Sequence, residues 1–286
     1  MSHIEYAAVV AHKKCRPASQ DAYAVQMPEG EKPFLATIVD GHGHIEAHEI
    51  VAAFSTHVAH ALQMHANTDP LFSDASAWFH HVQHVVEQKF GTHRVGATAA
   101  CVSVNMHART GVVAYVGDCR LHRFSPQAEH ATERLTEDHV PEQEQEKARL
   151  TACIQAKFLL LQHKNLLIEQ NASKMRLHFF DTPHGWSKKS LRATRGFGHP
   201  DFRPAFVAEP DMVTFTYASD TPTLFALCSS GGSSIVEHVF SGLTEQFSDP
   251  LAIRTTELAE IAHARLAERL RGPKRDTTII FFRISP

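Results

Sequence analysis

Apolar runs of strand length recur in groups along this chain, and amphipathic helical stretches fall between the groups in pairs rather than strictly alternating with single strands. Residues 6–11, 22–27 and 34–39 read as three strands. Two helical patterns follow. Residues 46–66 place Ile50, Phe54, Val58, Ala61 and Leu62 on one face, and residues 74–90 do the same with Phe79, Val82, Val86 and Phe90. After Gly96, strands are expected over 99–105 and 111–116, with Arg109-Thr110-Gly111 as a hairpin turn, and again over 121–124. Residues 142–174, charged and then apolar and glutamine-rich, read as helical. Strands over 214–217 and 223–228, a helix over 257–270 stopped by Gly272-Pro273, and a strand over 277–284 complete the chain. This order predicts an α+β sandwich: two packed antiparallel β-sheets flanked by pairs of helices. One domain spanning residues 1–286 is the simplest division, with its least regular part over about 141–190.

Composition narrows the function classes. With 43% hydrophobic and 21% charged residues the chain is of ordinary globular type. A net charge of −3 gives no basic surface for nucleic acid. The 22 histidines raise the net charge quickly below neutral pH. Five cysteines, scattered and odd in number, argue against a disulfide framework or a zinc site and for a reducing compartment, so an intracellular, cytoplasmic location is expected. Cys101 and Cys228 lie in apolar runs and read as packing residues. No apolar stretch approaches the ~20 residues of a membrane span, and no secretory signal opens the sequence.

Candidate chemistry sits at strand ends. The run Ile38-Val39-Asp40-Gly41-His42-Gly43-His44 delivers a carboxylate between glycines and imidazoles. Asp21 opens a strand, Asp118 ends one in Val116-Gly117-Asp118-Cys119-Arg120, and Asp276 precedes the last. Four such carboxylates can converge on a hard divalent cation. Singly, each reads as a turn cap. The spacing His42-x-His44-x-x-x-His48 and the group His80, His81 and His84 invite a zinc reading, but such positions on amphipathic helices are more often solvated.

Several motifs occur in a telling order. Arg16 is followed by Gln20-Asp21, then by Asp40-Gly41-His42-Gly43, Gly96-Ala97-Thr98-Ala99 and Val116-Gly117-Asp118-Cys119-Arg120. Next come Leu135-Thr136-Glu137-Asp138-His139-Val140-Pro141, Glu146-Lys147-Ala148-Arg149-Leu150, residues 191–198, and Arg275-Asp276-Thr277-Thr278. In that order they resemble the protein phosphatase 2C family of metal-dependent serine/threonine phosphatases, a fold of two sheets between helix pairs. The resemblance implies two metal ions sharing a bridging carboxylate and a water that attacks phosphorus. It implies Asp40 as the bridge, Gly41 as a carbonyl ligand, Asp21 and Asp276 as partners of one metal each, and Asp118 at a third, weaker site. Arg16 is then the phosphate ligand and His42 the general acid.

The departures shape the expected function. Where the family has Ala-Ser-Asp-Gly, this chain has Cys228-Ser229-Ser230-Gly231, so a ligand aspartate is replaced by Ser230. His199 stands where aspartate is usual, His44 replaces a glycine, and the glycine-rich flap is not recognisable between Leu150 and Lys189. His199 could substitute as a ligand, but imidazole suits softer metals better than magnesium. The expectation is a weakly active or inactive pseudophosphatase, binding one magnesium or manganese ion or none, and serving as a module for a phosphoprotein or protein partner. The alternative is an active magnesium- or manganese-dependent phosphoserine/phosphothreonine phosphatase using a metal-activated water.

Overall fold

The computed structural model describes residues 3–12, 19–30, 32–43, 48–91, 95–160, 165–171, 174–180, 190–268 and 275–286. In chain order the first elements are β1 (His3–Ala11), β2 (Ala22–Gln26), β3 (Phe34–His42), α1 (His48–Thr68), α2 (Ala75–Phe90), β4 (Gly96–Asn105) and β5 (Thr110–Val116). Then come β6 (Arg120–Phe124), β7 (Thr132–Arg134), α3 (Glu144–Leu160), β8 (Asn165–Asn171), β9 (Lys174–Phe180), β10 (Ser190–Leu191) and β11 (Phe197–Gly198). The last are β12 (Asp211–Thr216), β13 (Thr223–Cys228), α4 (Ser233–Gln246), α5 (Thr255–Glu268) and β14 (Thr277–Ser285).

One sheet runs β1-β14-β13-β6-β7, and the other runs β12-β5-β4-β3-β2 with β11 added beside β4. Their ladders are antiparallel. The two-residue alternation of a strand explains how they stack. On β3, Phe34, Ala36 and Ile38 enter a layer between the sheets, while Leu35 and Val39 face α1 and α2. On β14, Ile280, Phe282 and Ile284 enter the same middle layer, while Ile279 and Phe281 face α4 and α5. The result is the expected order of helices, sheet, sheet, helices. Aromatic rings tie the middle layer: Phe282 lies 5.1 Å from both Phe34 and Phe225. No helix among the described residues is long and apolar enough to cross a membrane.

Two elements differ from expectation. The helix read over 142–174 ends at Leu160, and β8 and β9 follow, paired from Asn165↔Phe180 to Asn171↔Lys174. Residues 161–164, 172–173 and 181–189 of that region lie outside the described residues. Pairing satisfies the strand backbones, and Leu177 is buried with Leu150, Phe202 and Phe206, so tertiary packing overrides a composition that looks helical. The structure also adds α4, which the patterning above does not anticipate; it buries Ile235, Val236, Val239, Phe240 and Leu243.

The motif residues Asp138, His139 and Glu146 have structural work. Asp138 accepts both Arg120 Nε (2.8 Å) and Nη2 (2.6 Å). Gly117 N–H donates to His139 Nδ1 at 2.9 Å, and His139 N–H returns a bond to Gly117 O at 2.9 Å. These bonds clamp the turn that carries Asp118. Glu146 accepts from Arg195 Nε (2.7 Å), Arg149 Nη2 (2.8 Å) and the Thr194 hydroxyl, joining α3 to the segment before β11. Burial alone raises the Glu146 carboxyl, but bonds from Arg149, Arg195 and Thr194 hold it down at about 2.

Two predictions follow from this packing. Phe282→Ala opens the inter-sheet layer and lowers stability by ~3–5 kcal/mol, read from denaturant unfolding. The depressed Glu146 carboxyl contributes stability that is present above the ordinary glutamate range and lost as pH falls toward about 2. A Glu146→Gln variant, unfolded at a series of pH values, is therefore less stable than wild type near neutrality, and the gap narrows in acid.

Candidate metal centre

The candidate site forms where strand ends of both sheets meet. The β2–β3 register pairs Ala22 with Val39, so its next step sets Asp21 beside Asp40. Asp40 in turn pairs with Thr98 on β4, and the Thr98 hydroxyl donates to Asp118 Oδ1 at 3.4 Å. Asp276 lies just before β14, and its Oδ2 accepts Gln20 N–H at 2.8 Å. Asp21, Asp118 and Asp276 are only 8%, 8% and 5% exposed. The structure thus gathers Asp21, Asp40, Asp118 and Asp276 in one region. Arg16, and likewise His44 and Cys15, lie outside the described residues. His80, His81 and His84 are exposed along α2.

Gly41 is required by close approach. A Cβ there would fall 2.3 Å from both the Gln20 carbonyl oxygen and Ser55 Oγ, and 2.8 Å from Val51. Its neighbour His42 ends β3 with Nδ1 3.4 Å from the Asp40 carbonyl oxygen. Burial lowers the His42 imidazole below its ordinary range, against the pull of Asp118 and the Asp40 carbonyl, so the ring is neutral near pH 7.

The electrostatics are those of like charges confined together. Burial, then Asp40 and Asp276, raise the Asp21 carboxyl well above its usual range. The Ser229 and Thr278 hydroxyls lie near enough to pull it part of the way back, but neither makes a hydrogen bond with it. Both Asp21 carboxylate oxygens are buried without a hydrogen-bond partner among the described residues. Burial, then Asp40 and Asp138, push Asp118 up to about 6. Burial raises Asp40 as well, while Ser230 and Arg275 pull it down.

Ser230 does more than leave a carboxylate out. Its backbone N–H and its hydroxyl both donate to Asp40 Oδ2, at 3.1 and 2.6 Å. The motif resemblance suggests a missing charge at this position; it could not reveal that the Ser230 hydroxyl turns toward Asp40. His199 is a second such residue. Its ring lies 4.5 Å from that of His42, a contact for which the sequence holds no signal beyond the unusual residue at that position. Among the described residues, no three histidine, cysteine, aspartate or glutamate side chains are placed to hold one metal ion together.

Comparison with known proteins agrees with this fold. The family model for protein phosphatase 2C matches residues 13–238. By sequence, no curated protein matches the chain. Among solved structures it is similar to a C. elegans sex determining protein, with 16% identity and a TM-score of 0.65 over 98% of this chain. The chain spans 64% of the length of that protein. It is similar to a serine-threonine phosphatase 2C from Toxoplasma gondii, with 15% identity and a TM-score of 0.67, covering 99% of this chain and 95% of the other. It also resembles RsbX, solved in complex with magnesium, with 15% identity and a TM-score of 0.53, covering 99% and 96% of the two chains. With its motifs in order, its two sheets between helix pairs and its aspartates gathered at the strand ends, the chain belongs to the protein phosphatase 2C family.

Proposed function

We propose that this chain is a pseudophosphatase: a weakly active or inactive phosphatase 2C frame that serves as a binding module for a phosphoprotein or another protein partner. The observation that carries the reading is the pair of Ser230 hydrogen bonds to Asp40 Oδ2. A carboxylate that bridges two cations needs its oxygens for them. Here one oxygen is taken by two donors, and the residue supplying them is neutral where an anionic ligand is expected. A hydroxyl cannot offset a dication as a carboxylate does. The donor set therefore does not fit two magnesium or manganese ions.

One observation favours bound metal and, with more than one ion, the alternative of an active magnesium- or manganese-dependent phosphoserine/phosphothreonine phosphatase. Both Asp21 oxygens are buried without a hydrogen-bond partner among the described residues, and burial with the neighbouring Asp40 and Asp276 raises its carboxyl, a strain that a cation would relieve. Under that alternative Asp21, Asp40, Gly41, Asp118 and Asp276 surround the metal, Arg16 holds the phosphate, and His42 supplies a proton. The magnesium in the RsbX structure makes the same hard-cation class the one to test.

Calorimetric titration with manganese, paired with phosphopeptide hydrolysis, decides between the two. The expected result is one binding site or none, with no turnover above background. Two-site binding, with turnover abolished by Asp40→Asn, overturns the pseudophosphatase reading. Ser230→Asp is expected to tighten manganese binding by roughly tenfold or more, ~1.4 kcal/mol, by restoring the charge and releasing Asp40.

A further inference from the structure

We propose that Arg120, Arg134 and Arg192 form a binding site for a phosphoryl dianion beside the carboxylate centre. The proposal deepens the reading of the chain as a module for a phosphoprotein, and rests on it. Strand register brings the first two side chains together. Arg120 pairs with Cys228, and His122 pairs with Ala226 on one side and Arg134 on the other. Cys228 and Ala226 face the α4 and α5 layer, so Arg120, His122 and Arg134 line that same face of the sheet. The third guanidinium comes from the segment before β11. Thr194 N–H donates to His139 O at 2.9 Å, which sets Arg192 near enough for its charge to act on Asp138.

Positive charge is in excess here. Asp138 accepts Arg120 Nε and Nη2, and its Oδ1 also accepts Arg134 Nη2 at 3.1 Å. Arg134 Nε donates to Thr136 O at 2.6 Å. Among the described residues no other carboxylate pairs with Arg120 or Arg134. Asp118 acts on Arg120 from farther away, and Glu237 accepts the Ser233 hydroxyl at 3.2 Å. Burial alone raises the Asp138 carboxyl, but the Arg120 bonds and the charges of Arg120, Arg134 and Arg192 hold it below its ordinary range. Burial, then Arg120 and Arg134, push the His122 imidazole down to about 3, so His122 stays neutral and adds no charge of its own. Three positive groups thus surround one negative group, an excess of two.

Arg192 supplies the second, independent observation. Its Nε is buried without a hydrogen-bond partner among the described residues. A guanidinium N–H withdrawn from water and left unpaired is costly, and an anion is the partner that satisfies it. The Arg134 side chain is 36% exposed, so the group opens to solvent. Chemistry selects the anion. Guanidiniums present paired donors that match phosphate oxygens. The excess of two charges matches an esterified phosphate at neutral pH, which carries about −1.5 to −2. A single carboxylate leaves half of the excess unmatched.

The test is an NMR titration of the full chain with sodium phosphate at constant ionic strength, read on the arginine Nε–H signals. EDTA in the buffer keeps cations from the carboxylate centre, so no metal recruits phosphate there. The Arg134 and Arg192 signals are expected to shift together. Phosphate affinity is expected to fall roughly tenfold in Arg192→Ala and in Arg134→Gln. Arg192→Lys keeps the charge without the paired donors and is expected to fall between wild type and Arg192→Ala. Arg254→Gln, whose parent side chain is 69% exposed and paired with Glu257, is the control and keeps wild-type affinity. Circular dichroism checks each fold. A phosphoserine peptide and its unphosphorylated twin identify the source of the phosphoryl group. Peptide binding that needs both the phosphate and Arg192 assigns it to a partner protein, and a response to inorganic phosphate alone assigns the free ion. An unmoved Arg192 signal, or unchanged phosphate affinity in folded Arg192→Ala, overturns the proposal. Two-site manganese binding with turnover overturns the pseudophosphatase, while the metal-free titration still decides the arginine site.

Discussion

The apolar layer between the two sheets is the constraint on which the site depends. Phe34 and Ile38 on β3, Phe225 and Leu227 on β13, and Ile280 and Phe282 on β14 all enter it. A one-residue slip of β3 or β14 would exchange the side chains facing the inter-sheet layer with those facing the helices, changing their sizes in two close-packed layers at once, so packing on both faces fixes register. Register in turn fixes what stands at the strand ends. Asp40 lies at the end of β3, Ser230 just beyond β13, and Asp276 just before β14. The chemistry at the rim is thus positioned by hydrophobic burial in the middle.

That positioning carries an electrostatic cost. Asp21, Asp118 and Asp276 are nearly removed from water, and each carboxylate raises the charging cost of its neighbours. A fold of this kind can offset the cost with cations, with hydrogen-bond donors or with protons. This chain has moved toward donors: Ser230 gives two bonds to Asp40, and Gln20 gives its N–H to Asp276. Arg275, exposed at the rim, adds a favourable charge for Asp40.

Much of this was legible in the chain. The apolar runs in 34–39 and 277–284 mark strands buried on both faces, and the helix pair over 46–66 and 74–90 shows its apolar stripe. The expected β4–β5 hairpin is present, but its turn is residues 106–109, with Arg109 at a positive φ of 53°; Thr110 and Gly111, expected in the turn, already pair with Asn105 and Val104 as the start of β5. Residues 165–174 read as helical because charge and glutamine content resemble a solvated helix, and 175–180 carry no clear strand signal. Their strand character comes from pairing with each other and from seating Leu177 on α3 and its neighbours. The helix α4 escaped because its start, Ser233-Ser234, follows a glycine pair that reads as an extended turn.

The sequence by itself determined the strand and helix patterns, the placement of aspartates at strand ends and a serine at position 230, where the resemblance implies a carboxylate. The patterns are local properties, written in periodicity and residue type. What that serine meets was decided only in three dimensions. Ser230 meets Asp40 across 190 residues of chain, and His199 meets His42 through the pairing of β11 with β4 and the open space at Gly96. Such meetings depend on how the sheets stack and close, and no pattern along the chain encodes them.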